Sequence, residues 1–449
     1  VISYTFPETQ LEYDTFGITE WEPAAEKMEA ATREILSKFE EILDITFINS
    51  NEHKTTNVIS VSISNQATTA GFSYFPNNFF EIGMDVFIAK GYANPRFSSD
   101  LLTNYDYEVL VHEIGHALGL KHPFEANGKN SATLSTLEDN TRYTAMSYDE
   151  DAATFNGTLR PLDWMALTKF YGVKSTYNAG DDTYSFSSSG GTFIIDGAGF
   201  DAISAYNTPQ AVTVDLRPGG HSHLGAKSDY ITAPNQLTIS LGSDIENVVT
   251  GTGDDTVIGT DSDNIIQTGS GSDTIFAGGG ADTIISGTGN DRIDLSEFVQ
   301  SRDTVKLDVP STDLEIDTIY AFSQGASGDI FDISLFINSV FELFPLVVSG
   351  FSPTATFGGG ILRVTGSDVS NATDLLDSFE VGGGLQELSM ATGESALIIS
   401  ADTQETGEDQ YIFSAENSSG EISVIQLAVL QGNALDIDQW HAANFSFIS

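Results

Sequence analysis

Residues 112–122 read HEIGHALGLKH and place three of the chain's seven histidines within eleven residues. His112 and His116 are four apart, so on a helix their imidazoles project from one face, one turn apart. That spacing lets two ring nitrogens share one cation. Glu113 follows the first histidine, and on the same helix its carboxylate can reach a water held by that cation. Gly119 can take the left-handed conformation that ends a helix. The chain then turns, and His122 can complete a three-histidine set. Imidazole suits Zn(2+), and three protein ligands leave one position open, as a hydrolytic site requires. A lone histidine is ordinarily a core or surface residue; the correctly interleaved Glu and Gly favour the metal here.

Downstream, residues 142–148 read RYTAMSY. Taken alone, Met146 and Tyr148 are ordinary core residues. About 25 residues after a three-histidine helix, they match the methionine-bearing turn of the metzincin pattern, with Met146 as the floor under the metal.

A second chemistry follows. From Thr250 to Asp294 the chain reads TGTGDDTVI, GTDSDNIIQ, TGSGSDTIF, AGGGADTII, SGTGNDRID, a nine-residue repeat. It matches GGxGxDxUx, with U a large apolar residue. The sixth position is Asp255, Asn264, Asp273, Asp282 and Asp291; the eighth is Val257, Ile266, Ile275, Ile284 and Ile293. Gly251, Gly253, Gly269, Gly271, Gly278, Gly280, Gly287 and Gly289 permit tight turns whose carbonyls face a cation. The aspartates add carboxylates, and Ca(2+) prefers such oxygen ligands. A flexible acidic linker would share the composition but has no need of an apolar eighth residue. Ser262 and Asn264 depart from the pattern, so the second repeat should hold calcium most weakly.

Together, HEIGHALGLKHP, YTAMSY and the nonapeptides closely resemble the serralysin family of metzincin proteases, over most of the chain. The resemblance implies an α+β zinc-protease (metzincin) domain over residues 1–175. It implies an all-β parallel β-roll over 176–300 and a C-terminal β domain over 301–449, with a secretion or sorting role for the last. It makes Tyr148 a further zinc ligand that swings away to stabilise the oxyanion, beside Glu113 as general base. Residues 18 apart would stack, with Asp255, Asp273 and Asp291 on one calcium ladder and Asn264 and Asp282 on the other. Glu246 resembles the cap that begins a ladder, and Gly180, Asp196 and Asp201 an interdomain calcium site. The implied activity is secreted endopeptidase, acting on polypeptide substrates as a monomer and open to a proteinaceous inhibitor. The alternative is a non-catalytic calcium-binding adhesion or structural protein, which would have no use for Glu113.

The positioning elements are legible too. Apolar Met28, Ala31, Ile35, Phe39 and Leu43 recur at helical spacing over 23–44, with Pro23 suited to the first turn. Val58–Ile63 alternates and reads as a strand, and Asp85–Ala89 as another. Residues 106–118 read as the metal-bearing helix, and 161–171 as a helix stopped by Gly172. An extended substrate would pair with an exposed strand edge, either Phe72–Phe75 or Asp85–Ala89. His221 and His223 (GGHSHLG) read as a polar surface loop rather than a metal pair, and His53 and His441 carry no motif.

The chain has 449 residues with 18 basic against 64 acidic, a net charge of −46. That excludes nucleic acid, whose phosphates would be repelled, and docking on anionic lipid. No apolar run approaches the roughly 18–20 residues of a membrane span. There is no cysteine, so thiolate zinc sites and cysteine nucleophiles are excluded. Calcium at the concentrations of extracellular fluids, about 0.1–1 mM, would neutralise the stacked carboxylates. The roll would then fold outside the cell. That suits the family's bacterial one-step export, and no N-terminal signal segment is visible. The ending NFSFIS departs from the family's acidic-then-apolar terminus.

Overall fold

The computed structural model describes residues 1–332 except 10–17, 51–56, 67, 78, 99–101, 127–129, 151–156, 307–315 and 324–328. Beyond Asp332 it describes seven strand segments within 347–446. His53 and His441 lie outside the described residues, as does the closing NFSFIS apart from Phe445–Ser446. The chain forms two compact units.

The first unit comprises Val1–Gly180, Phe193–Gly199 and Ile239–Asp244. Its strands are β1 (Ile2–Thr5), β2 (Glu22–Pro23), β3 (Phe47–Asn49), β4 (Val58–Ser64), β5 (Gly71–Ser73) and β6 (Val86–Ala89). Its helices are α1 (Glu26–Ile42), α2 (Lys90–Phe97), α3 (Asn104–Ala117) and α4 (Pro161–Tyr171). The sheet runs β3-β1-β4-β6-β5, parallel except for β5, with β2 paired antiparallel to β4. Met28, Ile35 and Phe39 of α1 join Leu110 and Ile114 of α3 over one sheet face, in a core with Ile59, Val61, Val86 and Ile88. Burying each such side chain contributes about 1.5–3 kcal/mol.

Three expectations change here. Pro23 lies in β2, not in a helix, because α1 starts only after Ala25. All seven residues of β4 are buried despite their alternating pattern. The face opposite the main core is also covered, where Phe87 packs with Trp21, Phe72 and Tyr74. Finally, β6 is paired on both sides, by β4 and β5, so Asp85–Ala89 offers no free edge. Among the described residues the sheet ends on β3 and on β5, and β5 is the edge that lies against Glu113.

The second unit comprises Asp181–Thr192, Phe200–Thr238 and Ile245–Ser449. From Asn247 to Asp294 the strands pair in parallel in an 18-residue register. Val214, Val257, Ile275, Ile293 and Ile319 are successive partners in one sheet. Ile203, Val248, Ile266, Ile284 and Val305 are successive partners in the other. All ten are fully buried. The eighth repeat position is therefore the core. Stacking also dictates glycine. Gly287 has φ +88°, and a Cβ there would run into the carbonyl oxygen of Gly269 one coil below. The strands Thr354–Gly358, Ile361–Thr365, Ser395–Ala401, Gln410–Asn417 and Ile422–Gln431 extend the first sheet, joined where Asp317–Tyr320 pairs with Ala428–Gln431. His221 and His223 sit on strand His221–Leu224, not in a loop, and their Nδ1 atoms face Thr238 Oγ1 at 2.9 Å and the Gly225 carbonyl at 2.8 Å.

Candidate metal centres

Helix α3 carries His112, Glu113 and His116. At its start, the Asp106 carboxylate accepts the Thr103 backbone N–H at 2.7 Å and the Thr103 hydroxyl at 2.7 Å. At its end, Gly119 has φ +104°. Its N–H donates to the His116 carbonyl, and the Leu120 N–H to that of Gly115, both at 2.9 Å. This double bond pattern is a Schellman cap. It reverses the chain and aims the Leu120 carbonyl at His116, whose Nδ1 donates to it at 2.6 Å.

Each imidazole is held from behind. His112 Nδ1 donates to the Ala145 carbonyl at 2.8 Å, and His122 Nδ1 lies 3.1 Å from Glu125 Oε2. Engaging Nδ1 fixes the tautomer and leaves the Nε2 lone pair free for a metal. The three Nε2 atoms converge, with His122 Nε2 at 3.2 Å from that of His112 and 3.0 Å from that of His116. Burial keeps His112 and His116 neutral, pushing them down to about 3 and about 4. Neutral imidazole is the ligating form. Three neutral imidazoles with one position left open are a donor set that fits zinc.

Burial also pushes Glu113 up to about 8. Its Oε2 is buried with no hydrogen-bond partner among the described residues. The backbone of β5 lies against it, since a Cβ on Gly71 would stand 2.8 Å from Glu113 Cγ and Oε1. The Tyr148 ring is 61 % exposed, stacked on His112 at 5.7 Å and 4.6 Å from the ring of His122. Burial, then the carboxylates of Glu113 and Glu125, raise its pKa. Phe124 stacks flat on His122 at 5.1 Å. Met146 is buried against Gly115, where a Cβ would meet its Sδ at 2.9 Å.

Sequence reasoning missed what holds this turn. Asp163 of α4 is buried, and its Oδ1 accepts the Thr144 hydroxyl at 2.6 Å. Its Oδ2 accepts the N–H of Ala145 at 2.7 Å and of Arg160 at 2.9 Å. Burial raises its pKa against those bonds. Beside it, Arg160 Nη2 reaches both oxygens of buried Glu108 at 3.0 and 3.1 Å.

In the second unit, aspartate Oδ1 atoms accept backbone N–H groups of the preceding coil on the same side. Asp273 takes that of Asp255 at 2.7 Å, and Asp291 that of Asp273 at 2.8 Å. On the other side Asp282 takes that of Asn264 at 2.8 Å. The structure thus brings Asp255, Asp273 and Asp291 into one ladder, and Asn264 and Asp282 into the other. Both ladders run past the repeats. Asp317 accepts from Asp291, Asp303 from Asp282, and Asp329 from Asp303. Their signal was the triplet of aspartate, any residue, then a large apolar residue, hidden because the steps are 21 and 26 residues instead of 18. Oδ2 of Asp255, Asp273 and Asp282 is buried without a hydrogen-bond partner among the described residues, which suits a cation with oxygen ligands. Burial, then neighbouring Asp303, Asp263 and Glu297, pushes Asp282 up to about 8. Glu246 is not the first rung, for its Oε2 accepts the Asp201 N–H at 2.9 Å and Asp201 in turn accepts that of Asp182 at 2.7 Å. Gly180 and Asp196 belong to the first unit, where Asp196 is buried and accepts the Ala198 N–H at 3.1 Å.

Two family likenesses fall on these two regions. The metallo-peptidase family M12B, reprolysin-like, matches residues 83–158. The RTX calcium-binding nonapeptide repeat matches 241–271 and 258–293. The serralysin of Proteus mirabilis is 28 % identical over 305 residues, covering 59 % of this chain and 60 % of its own. The chain is similar to the serralysins over about 59 % of its length. Serralysin B of Dickeya chrysanthemi is 33 % identical over 184 residues, 34 % of this chain and 36 % of its own. Metallopeptidase AprA of Pseudomonas marginalis is 29 % identical over 234 residues, 45 % and 48 % respectively. The chain spans about 60 % of the length of the Proteus protein. The metallopeptidase likeness implies zinc and the repeats imply calcium. No described helix is long and apolar enough to cross a membrane.

Proposed function

We propose that the chain is a zinc-dependent endopeptidase acting on polypeptides outside the cell, with calcium ordering its repeats. The observation that carries this is the convergence of three Nδ1-anchored imidazoles beside a buried, unpartnered Glu113. Zinc held by His112, His116 and His122 supplies Lewis acidity at an open coordination position. Glu113 accepts the proton of the attacking water and returns it to the leaving amine. Its raised pKa suits that exchange near neutral pH. Tyr148, as a switchable ligand, donates its hydroxyl to the developing oxyanion. The free edge of β5 pairs with the extended substrate and lays it over Glu113, against which Gly71 already packs. A purely adhesive protein would have no use for a buried carboxylate at this point.

Asp255, Asp273 and Asp291 on one side, and Asp282 with Asn264 on the other, hold calcium together with the turn carbonyls of the repeat glycines. Asn264 places an amide where its neighbours place carboxylate, and its Nδ2 donates to the Glu246 carbonyl at 2.9 Å, so its site is the weakest. Glu246 belongs to the ladder, and Gly180, Asp196 and Asp201 keep the calcium-ligand roles that the resemblance gives them. Residues 1–175 are the catalytic domain, 176–300 the roll and 301–449 a C-terminal module for export or sorting. The protein works as a monomer. The test is cleavage of an unfolded protein such as casein, its loss with a zinc chelator and its return with added zinc. Cleavage indifferent to zinc removal, or none from zinc-loaded protein, would contradict this function.

A further inference from the structure

A cleft of about 250 Å3 opens beside His112 and Glu113, between β5, α3 and the turn that carries Met146. Ala70, Val109 and the ring of Tyr105 give it apolar surface. Its charge comes from three carboxylates, those of Glu108, Glu113 and Glu150, and no lysine or arginine lines it among the described residues. Glu150 is exposed, so it stands at the mouth, whereas Glu108 is buried. Burial, then Glu150, raises the pKa of the Tyr105 phenol; Arg96 lowers it and Glu108 adds a smaller rise. Arg160 pairs with both oxygens of Glu108, which leaves Glu150 as the carboxylate at the exposed end of the cleft. Glu113 Oε2, buried and without a hydrogen-bond partner, lines the same space.

We propose that this cleft receives the side chain of a substrate residue flanking the scissile bond and selects a long cationic one, lysine or arginine, with Glu150 as the specificity-determining residue. The inference rests on the endopeptidase reading. A methylene stem lies along Ala70, Val109 and Tyr105, and the cationic head ends among the carboxylates. An acidic side chain is excluded by like charge, a repulsive element that sharpens selectivity as much as the attraction does. An aliphatic side chain fills the apolar part but leaves the Glu108 and Glu150 end wet.

The test is cleavage of a peptide mixture varied around the scissile bond and read by mass spectrometry, with wild type, Glu150→Gln and Glu150→Lys, all loaded with zinc and calcium. Wild type should favour Lys or Arg over norleucine at one flanking position by about tenfold in kcat/KM. Glu150→Gln should reduce that ratio by roughly 3–10-fold, with the loss falling mainly on the Lys and Arg peptides. Glu150→Lys should abolish or reverse it toward acidic residues. Cleavage with no basic preference, or a preference unchanged in Glu150→Lys, overturns this inference alone. A zinc-loaded wild type that cuts no peptide overturns the endopeptidase reading and this inference with it.

Discussion

Replacing Asp163 by alanine should damage the zinc centre without touching a ligand. Asp163 accepts three hydrogen bonds, from the Thr144 hydroxyl and from the N–H groups of Ala145 and Arg160. Each buried donor left without a partner costs about 1–3 kcal/mol. Part of the sum is recovered, because the carboxylate is itself costly to bury and its pKa is raised accordingly. The net cost is about 3–4 kcal/mol, which for a unit of this size lowers the unfolding midpoint by roughly 6–16 °C. The effect also travels, since the Ala145 carbonyl that orients His112 belongs to the residue whose N–H Asp163 holds. Loss of such an outer partner typically weakens metal binding 10–100-fold. Thermal unfolding in saturating calcium, and zinc competition against a chromophoric chelator, read the two effects separately. Asp163→Asn retains one acceptor and should fall between alanine and wild type. A midpoint within about 2 °C of wild type, together with unchanged zinc affinity, would refute the reasoning.

Other consequences follow from the same contacts. Gly71→Ala drives a Cβ into Glu113; kcat should fall by about 10–100-fold with zinc content unchanged, and full activity would show that Glu113 need not sit where it does. In calcium-free protein, Asp282 is pushed to about 8, Asp303 to about 7, and Asp273 and Asp329 to about 6, from an ordinary 3.8. Raised folded-state values mean that their contribution is intact below the unfolded value and is lost as pH rises through about 6–8. With calcium chelated, circular dichroism should therefore show strand signal returning as pH falls from 8 to about 5, whereas a signal independent of pH would count against buried charged carboxylates, with their mutual repulsion, as the cause.

What was legible in the sequence was whatever local periodicity enforces. The four-residue histidine spacing, the helix-ending Gly119 and the apolar eighth position each follow from the geometry of one helix turn or one coil. The proposed catalytic constellation could therefore be read from a short stretch. Its supports could not. Asp163 reads as an ordinary acidic residue in a first helical turn, and Glu108 as one more polar residue on α3; only tertiary packing brings Glu108 to Arg160 and Asp163 to the Met146 turn. Asp303, Asp317 and Asp329 escaped because insertions break the nonapeptide period while leaving the stack intact. Pro23 and the doubly paired β6 show the same limit in reverse, where a sound local signal was overruled by the sheet.

The measurement closest to the central claim compares peptide-bond cleavage by wild type and Glu113→Gln at equal zinc and calcium content. Glutamine keeps the volume and a hydrogen-bonding oxygen but cannot accept the proton. Zinc should bind both proteins alike, while kcat falls by about 100–10,000-fold in the variant. Equal cleavage by the two zinc-loaded proteins, or none by either, would contradict Glu113 as the base of a working peptidase.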